Sequence, residues 1–327
     1  MSAVAGPEWF DAHLDPAYRA ALDAFETLVP SSIDDLDAEG RRAAQATTFL
    51  PEPEWVAERV TWHDVWVPSP DPGREVRLRV YQPRTGEHER PAVLCVHGGG
   101  MWAGTIESEH TIFAGIADRN DAVCVSVDYR LAPEHPFPAG LDDVMVGLRW
   151  LANEACALRV DPARIALYGG SAGGGLVLGA ALRSRDEGGP SVCFVQALYP
   201  MIDDTSSTPS SYQVIRHGAG VWSRANNVEG WGWYLDGQDP SIYAAPARAS
   251  VDQLRGLSPV YLDVGELDLF RDEDLALAAR LSAAGVPVEL HLTPGLFHGA
   301  ENVAPDARAS ERIFSYRYAA MARHLGR

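Results

Sequence analysis

The sequence predicts an α/β fold with a mostly parallel sheet. From about residue 60, short apolar runs alternate with segments of helical spacing, as in repeated strand–helix units. The run at residues 92–96 contains no polar residue, which is typical of a strand buried on both faces. With 327 residues, 46% of them hydrophobic, the chain fits one large α/β domain or two small ones.

The first 50 residues are polar and have a helical pattern. Pro16 suits the first turn of a helix with Asp15 as its N-cap, and Leu22 and Phe25 lie on its apolar stripe. A second helix is expected at about 32–47, because its acidic start and basic end complement the helix dipole. These helices precede any strand, so we expect an appendage that forms either a cap or an edge cover.

The remaining elements follow from periodicity and turn signals. We expect strands at about 60–67, 75–82, 92–96, 122–127, 165–168, 191–198, 260–264 and 288–292. We expect helices at about 112–119, 138–154, 176–185, 272–284 and 305–325. The alternation of strand and helix signals is interrupted between about residues 201 and 257.

Within this interval, Ser223 can cap a helix that reaches Leu235 and carries several aromatic residues. Aromatic side chains at helical spacing usually pack in a core, so we expect most of them on the sheet and a minority near a pocket. The aromatic residues are Trp222, Trp231, Trp233 and Tyr234.

One strand–turn–helix segment has a serine at its turn. Residues 164–175 read RIALYGGSAGGG, and Gly169 and Gly173 flank Ser171 in a G-x-S-x-G pattern. The nucleophile of this motif lies on a strained turn, where small neighbours let the strand and the helix approach closely. A glycine-rich turn without a catalytic role gives the same local pattern, so the prediction depends on partners elsewhere.

A second glycine-rich loop follows the strand at 92–96. It reads HGGG at residues 97–100 and continues with Met101 and Trp102. An HGGG loop upstream of G-x-S-x-G is the arrangement that supplies backbone N–H groups to an oxyanion. The order of the two motifs favours acyl-transfer chemistry over a plain strand-to-helix loop.

A serine nucleophile needs a base, and the base needs a carboxylate that orients it. In this motif class the chain order is Ser, then Asp or Glu, then His. Of the histidines after Ser171, we assign His298 as the base, because it follows the last strand and precedes a glycine. His217, His291 and His324 are the alternatives. For the acid we assign Asp268, with Glu266 as its closest rival; Asp263 falls inside a strand, and Asp272 and Asp274 begin a helix.

Composition excludes several other functions. The formal net charge of −18 argues against binding to nucleic acid or anionic membranes. The chain has no lysine, which rules out Schiff-base, pyridoxal phosphate, phosphate-loop and Ser-Lys chemistry. No H-E-x-x-H or comparable ligand spacing indicates a metal site.

Cysteine usage and the N-terminus bear on the compartment. Four widely spaced cysteines, without C-x-x-C, are expected as buried free thiols in a reducing environment. The first residues lack the basic and apolar regions of a signal peptide, and no run of about 18 apolar residues occurs. We therefore expect a cytoplasmic protein with no membrane association.

Taken together, the motifs resemble the hormone-sensitive-lipase-like branch (family IV) of bacterial carboxylesterases. The resemblance is carried by residues 97–100, 128–139 (DYRLAPEHPFPA), 169–174, 266–273 and 297–299. The string at 128–139 is the most specific, since a generic loop does not require it. One departure is Gly170, where members of the family usually carry Asp or Thr, so a side-chain contact beneath the nucleophile is missing.

The resemblance implies an α/β-hydrolase fold with eight strands, helices on both faces of the sheet and a helical cap. It implies cap helices at 1–50, a catalytic domain at 51–327 and a cap-contributing insertion at about 201–257. It also implies no cofactor, and it suggests a homodimer formed through the last strand. Met101, Trp102, Trp222 and Phe297 are the residues expected to narrow the substrate pocket.

The predicted function is hydrolysis of short-to-medium acyl-chain esters. Ser171 attacks the carbonyl, His298 takes its proton, and Asp268 orients the imidazole. The N–H groups of Gly99, Gly100 and Ala172 hold the oxyanion. Two alternatives stay open: the same residues can hydrolyse amides, lactones or carbamates, and plant gibberellin receptors use this fold for small-molecule binding. The presence of His298 argues against a pure receptor.

Overall fold

The computed structural model of the chain describes residues 7–28, 37–46, 53–84, 86, 88–214 and 221–326. Its centre is an eight-stranded sheet in the order β1-β2-β4-β3-β5-β6-β7-β8. The strands are β1 (Val60–Pro68), β2 (Glu75–Pro83), β3 (Arg90–Val96), β4 (Val123–Val127), β5 (Val160–Gly170), β6 (Phe194–Leu198), β7 (Val260–Leu267) and β8 (Val288–Phe297). Strand β2 is antiparallel to β1 and β4, and all other pairs are parallel. The predicted α/β-hydrolase fold is confirmed.

Helices cover both faces of the sheet. They are α1 (Pro7–His13), α2 (Pro16–Leu28), α3 (Ala38–Ala46), α4 (Glu54–Arg59), α5 (His110–Asn120), α6 (Ala139–Asn153), α7 (Ala155–Leu158), α8 (Ala172–Glu187), α9 (Pro209–Gln213), α10 (Arg224–Leu235), α11 (Val251–Leu254), α12 (Arg271–Ala283), α13 (Ala300–Val303) and α14 (Arg308–His324). One buried apolar cluster joins the sheet to α6, α8 and α12, and a second joins its other face to α5 and α14. The parallel strands are therefore buried on both sides, as their apolar sequences require.

The predicted elements are present, with different bounds at several ends. Strand β8 continues to Phe297, five residues beyond the predicted end, and the last helix begins at Arg308 rather than near residue 305. The short helices α1, α4, α7, α9, α11 and α13 were not predicted individually. Each has only four to seven residues, too few for helical periodicity to appear in the sequence.

The N-terminal helices lie beside the loop that follows β8. Helix α2 begins at Pro16, and Asp15 Oδ1 accepts the N–H of Ala17 at 3.0 Å, so the predicted start is confirmed. Phe10, Tyr18 and Leu22 pack in one cluster with Phe297. Helix α3 covers the second half of the predicted 32–47 helix, while residues 32–36 and 47 lie outside the described part of the chain.

Arg42 of helix α3 ties this region to the 97–104 loop. Its guanidinium donates to the carbonyls of Trp102 and Ala132, both at 2.6 Å, and forms a bidentate ion pair with Glu134. The two carbonyls belong to the glycine-rich loop and to the 128–139 segment. One side chain therefore joins three segments that are remote in sequence.

The cysteine prediction is only partly correct. All four cysteines are free and Cys95 and Cys124 are buried, but Cys156 is exposed and Cys193 is half-buried. Cys156 lies in the short helix α7, which the sequence pattern did not reveal. Within the described ranges, no helix is both long and apolar enough to cross a membrane.

Candidate active site

The turn between β5 and α8 holds Ser171 in a strained backbone conformation. Ser171 has φ 55° and ψ −122°, a region that side chains rarely adopt. A Cβ added to Gly169 would lie 2.3 Å from the carbonyl oxygen of Gly173, and one added to Gly173 would lie 2.2 Å from that of Val96. The two flanking glycines are therefore required by close backbone contact. The turn directs Ser171 toward the carboxyl end of the sheet.

Three side chains from three loops meet at this edge. His298 Nε2 lies 3.0 Å from Ser171 Oγ, and His298 Nδ1 lies 2.9 Å from Asp268 Oδ2. Asp268 is fully buried, and its other oxygen accepts the N–H of Phe270 at 2.9 Å. The rings of Phe270 and Tyr199 contact His298 edge-on, with centroids 5.1 and 4.7 Å away. The sequence-predicted Ser, His and Asp thus form one continuous chain of hydrogen-bonding atoms.

The alternative residues are engaged elsewhere. His291 lies in β8 with Glu289, and the ring of His324 stacks on Phe194. Glu266 accepts the N–H of Gly295, and Asp263 pairs with Arg317. The carboxylate of Asp272 accepts the N–H of Ser210. Asp274 is fully buried in α12, and His217 lies outside the described residues.

The HGGG loop is fixed by contacts to its own histidine. Burial lowers the pKa of His97 to about 4, so the imidazole is neutral near pH 7 and carries one N–H. That N–H, at Nδ1, donates to the carbonyl of Gly98 at 2.8 Å, and the ring stacks on Tyr129. The hydroxyl of Tyr129 donates to the carbonyl of His97 at 3.0 Å. Because the Gly98 carbonyl and the Gly99 N–H share one planar peptide, these contacts set the direction of the Gly99 N–H.

The four pocket candidates lie in different environments. Met101 and Trp102 are almost fully buried, and the terminal carbon of Met101 packs toward Gly175 of α8. Phe297 is also buried and meets Tyr18 of α2 edge-on. Trp222 is half-buried. A Cβ added to Gly100 would lie 2.1 Å from its indole, so this ring lies against the glycine loop.

A polar chain that the sequence did not indicate fixes Trp222. Its Nε1 donates to Asn227 at 3.2 Å, and Asn227 donates to Ser206 at 2.8 Å. The ring also stacks on Trp102, with centroids 6.2 Å apart. Ser223 caps α10 as predicted, and Trp231 and Tyr234 of that helix are buried in the core.

The space beneath Gly170 is occupied by Tyr199. A Cβ added to Gly170 would lie in ordinary contact with the Tyr199 ring, 3.4 Å from its nearest atom. The Tyr199 hydroxyl donates to Glu301 at 2.8 Å, and Glu301 accepts from Arg317. An aromatic ring with a buried polar tail therefore adjoins the position at which the resembled family usually carries Asp or Thr. Neither Tyr199 nor Arg317 had a signal in the sequence.

Glu109, at the start of α5, is a further residue that the sequence did not indicate. Its Oε1 accepts the N–H of Gly98 at 2.7 Å. In the described parts of the chain, no group of three or more His, Cys, Asp or Glu residues is arranged to hold a metal ion. The assembled groups are a hydroxyl, an imidazole and a carboxylate in hydrogen-bonding contact, beside two glycine-rich loops.

Comparisons with known proteins relate the chain to one family. A family model of the α/β hydrolase fold matches residues 93–302. The chain is 34% identical to carboxylesterase NlhH of Mycobacterium tuberculosis over 321 residues, covering 95% of this chain and 96% of the relative. It is 37% identical to esterase LipI of the same species over 233 residues, 70% and 72% of the two chains. A solved structure of a bacterial heroin esterase superposes with a TM-score of 0.87 at 36% identity, covering 96% of this chain and 98% of the other.

Proposed function

Because this chain belongs to the hormone-sensitive-lipase-like branch of the α/β-hydrolase fold family and is a carboxylic ester hydrolase, we propose that it cleaves short-to-medium acyl esters through Ser171, His298 and Asp268. The observation that carries the proposal is the pair of contacts at His298, 3.0 Å to the serine oxygen and 2.9 Å to the carboxylate. A base in contact with both groups accepts the serine proton while the carboxylate stabilises the imidazolium that forms.

The reaction proceeds in two acyl-transfer steps. Ser171 Oγ bonds to the ester carbonyl carbon as its proton passes to His298 Nε2, and the carbonyl π electrons move onto oxygen. The carbonyl re-forms as the alkoxide leaves, and His298 returns the proton to it. Water then attacks the acyl-enzyme by the same route, which releases the carboxylic acid and restores Ser171.

The developing oxyanion is bound by three backbone N–H groups in this proposal. Gly99 and Gly100 supply two from the HGGG loop, and Ala172 supplies one from the first residue of α8. The positive φ values of 113° and 62° at Gly99 and Gly100 support a loop that turns its N–H groups inward. In other enzymes, loss of one such donor costs about 2.7–4 kcal/mol of transition-state stabilisation.

The position of Trp222 supports the proposal that the acyl pocket is small. Its indole touches Gly100 and is fixed by Asn227 and Trp102, so it forms a rigid wall beside the proposed oxyanion donors. We place the cap at residues 1–50 and about 201–257, with Arg42 as its anchor on the main domain of residues 51–327. The acidic charge of −18 further supports small ester substrates rather than nucleic acid or anionic membranes.

The test is hydrolysis of p-nitrophenyl esters from acetyl to palmitoyl by the wild type and Ser171→Ala. We expect the highest kcat/KM on short acyl chains and loss of turnover in the variant with an unchanged melting temperature. Ser126→Ala, a buried serine of β4 outside the site, is the matched control and should hydrolyse like the wild type. Activity retained by Ser171→Ala would contradict the assigned nucleophile. A wild type active only on amides or lactones would favour that alternative substrate class.

A further inference from the structure

Glu109 has no role in the mechanism above, yet its carboxylate lies where the two catalytic loops meet. Its Oε1 accepts the Gly98 N–H at 2.7 Å. A Cβ added to Gly98 would lie 3.4 Å from that oxygen, 3.5 Å from Ser171 Cβ and 3.2 Å from the carbonyl oxygen of Gly170. The carboxylate therefore contacts the peptide that leads directly into the proposed oxyanion donors.

Few charges face this carboxylate. Glu301 of α13 repels its negative form, and Arg317 of α14 attracts it. Its other titratable neighbours are Tyr129, Tyr168 and Cys95, whose pKa values are held well above their ordinary range by burial, so they are neutral. Glu109 is half-buried, and this desolvation raises its pKa to about 7, although the bond from Gly98 opposes the change.

An anchor for one N–H group does not require an ionisable side chain. A neutral amide oxygen accepts the same hydrogen bond, without the cost of burying a charge. An ionised carboxylate accepts a shorter and stronger bond than a neutral acceptor does. The chain thus has an ionisable carboxylate, which is unfavourable to bury, at a place where its stronger hydrogen bond acts on the oxyanion loop.

We propose that Glu109 is a positioning residue for the oxyanion hole: its ionised carboxylate fixes the peptide between His97 and Gly98, so that the Gly99 and Gly100 N–H groups point at the substrate oxygen. Protonation weakens that bond and loosens the loop. This inference rests on the proposed esterase mechanism, because it assumes that these two N–H groups bind the oxyanion. It makes Glu109 a pH-sensitive group of the proposed site.

The test compares kcat/KM of the wild type and Glu109→Gln from pH 5.5 to 9 with p-nitrophenyl acetate. Glutamine keeps the acceptor oxygen and the shape but does not ionise. Above pH 8 we expect the variant to be slower by about tenfold to a hundredfold, mainly in kcat, because small misplacements of catalytic groups have effects of that size. Below pH 6 the ratio should approach one, with its midpoint near the Glu109 pKa of about 7.

Stability separates positioning from a structural role. A carboxyl whose pKa is raised on folding contributes stability below its unfolded pKa, and that contribution is lost as the pH rises through the folded pKa. Glu109→Gln should therefore melt at the same temperature as the wild type or higher at pH 8, while it turns over more slowly. Glu107→Gln is the matched control: it removes a partly exposed carboxylate that pairs with Arg77 and should leave the pH profile unchanged.

A ratio that stays constant across the pH range, or equals one throughout, overturns the inference. A lower kcat in Glu109→Gln that is accompanied by a lower melting temperature at pH 8 also overturns the inference. If Glu109→Gln does not fold, Glu109→Asp replaces it, and wild-type kcat at every pH then counts against the proposal. Activity in Ser171→Ala contradicts the proposed nucleophile instead, so the two failures are distinguishable.

Discussion

Two buried carboxylates, one inside β7 and one directly after it, pair with different basic side chains and have different capabilities. Asp263 lies inside β7 and Asp268 directly after it, and they are 3% and 0% exposed. Asp263 accepts two bonds from Arg317, at 2.6 and 3.0 Å. Asp268 instead lies 2.9 Å from His298 Nδ1. Both carboxylates are buried and hydrogen-bonded, and they differ in the residue with which they pair.

The partner decides what each pair can do. A guanidinium stays charged at any pH the fold survives, so the Asp263 region is a fixed ion pair, extended by Glu301 and Tyr199. An imidazole can accept a proton at one ring nitrogen while it donates from the other, so the Asp268 pair can take part in proton transfer. A buried carboxylate alone does not indicate a catalytic acid. A carboxylate at the carboxyl end of a strand, opposite a histidine, is what indicates a catalytic acid.

The largest expected effect is on Asp268. Asp268→Asn should lower kcat by about 10⁴-fold, as in other Ser-His-Asp triads, because the amide favours the imidazole tautomer that cannot accept the serine proton. The asparagine oxygen can still accept the Phe270 N–H, so unfolding in urea should change little. Asp263→Asn is the control in the same strand, and its turnover per folded molecule should stay close to wild type. An equal decrease in kcat in both variants would contradict the different roles assigned to Asp263 and Asp268.

The second largest effect is the loss of folding stability when the Asp263 ion pair loses its arginine. Arg317→Met leaves Asp263 and Glu301 buried without their cation, and loss of one partner of a buried pair typically costs about 3–5 kcal/mol. The free energy of unfolding in urea at pH 7 measures this loss. Arg323→Met, on the exposed side of the same helix α14, should cost no more than about 1 kcal/mol. A comparable loss in Arg323→Met would contradict the assigned effect of burial.

The pH dependence of the Arg317→Met effect follows from Glu301. Burial favours a higher pKa for Glu301, but Arg317 outweighs it and the pKa lies below its ordinary value. A lowered carboxylate pKa contributes stability above the unfolded pKa, and that stability is lost as the pH falls through the folded pKa. The difference between the wild type and Arg317→Met should therefore shrink in acid. A difference that grows in acid would contradict the pairing.

The proposed catalytic residues could be picked out from the sequence because their positions follow a local rule. Ser171, Asp268 and His298 each lie within a few residues after an apolar run, and parallel strands bring their carboxyl ends to one edge. The order Ser, then Asp or Glu, then His favoured this set, with Glu266 as the closest rival for the acid. The sheet was predictable from periodicity, because its central strands are short apolar runs and its outer strands alternate apolar with polar residues, between turn signals.

The supporting residues were not predictable, because their partners are remote or are backbone atoms. Glu109 binds a peptide N–H eleven positions earlier, and Arg317 reaches Asp263 from the last helix. Arg42 binds two carbonyls and Glu134, each at least 60 residues away. Such contacts depend on how the elements pack, and no spacing in the sequence encodes them.

The smallest effect concerns a third buried carboxylate of this region, Asp274. It is fully buried, and among the described residues neither of its oxygens has a hydrogen-bond partner. Burial holds its pKa well above the ordinary value, and the nearby carboxylates of Glu273 and Asp268 add to this. A raised carboxyl pKa means that stability is lost as the pH rises above the unfolded value, so this group costs the fold most at neutral and alkaline pH.

Asp274→Ala should therefore stabilise the protein by about 1–3 kcal/mol at pH 8, since a buried polar group without a partner costs about that much. The gain should shrink as the pH falls and be smallest below about pH 3, where the unfolded chain also holds the proton. Asp272→Ala, in the same helical turn, is the control with the opposite expected sign, because its carboxylate accepts the Ser210 N–H at 2.7 Å. Thermal unfolding of both variants at the two pH values separates the cases. A loss of stability in Asp274→Ala at pH 8 would contradict the assigned cost of burying this carboxyl group without a hydrogen-bond partner.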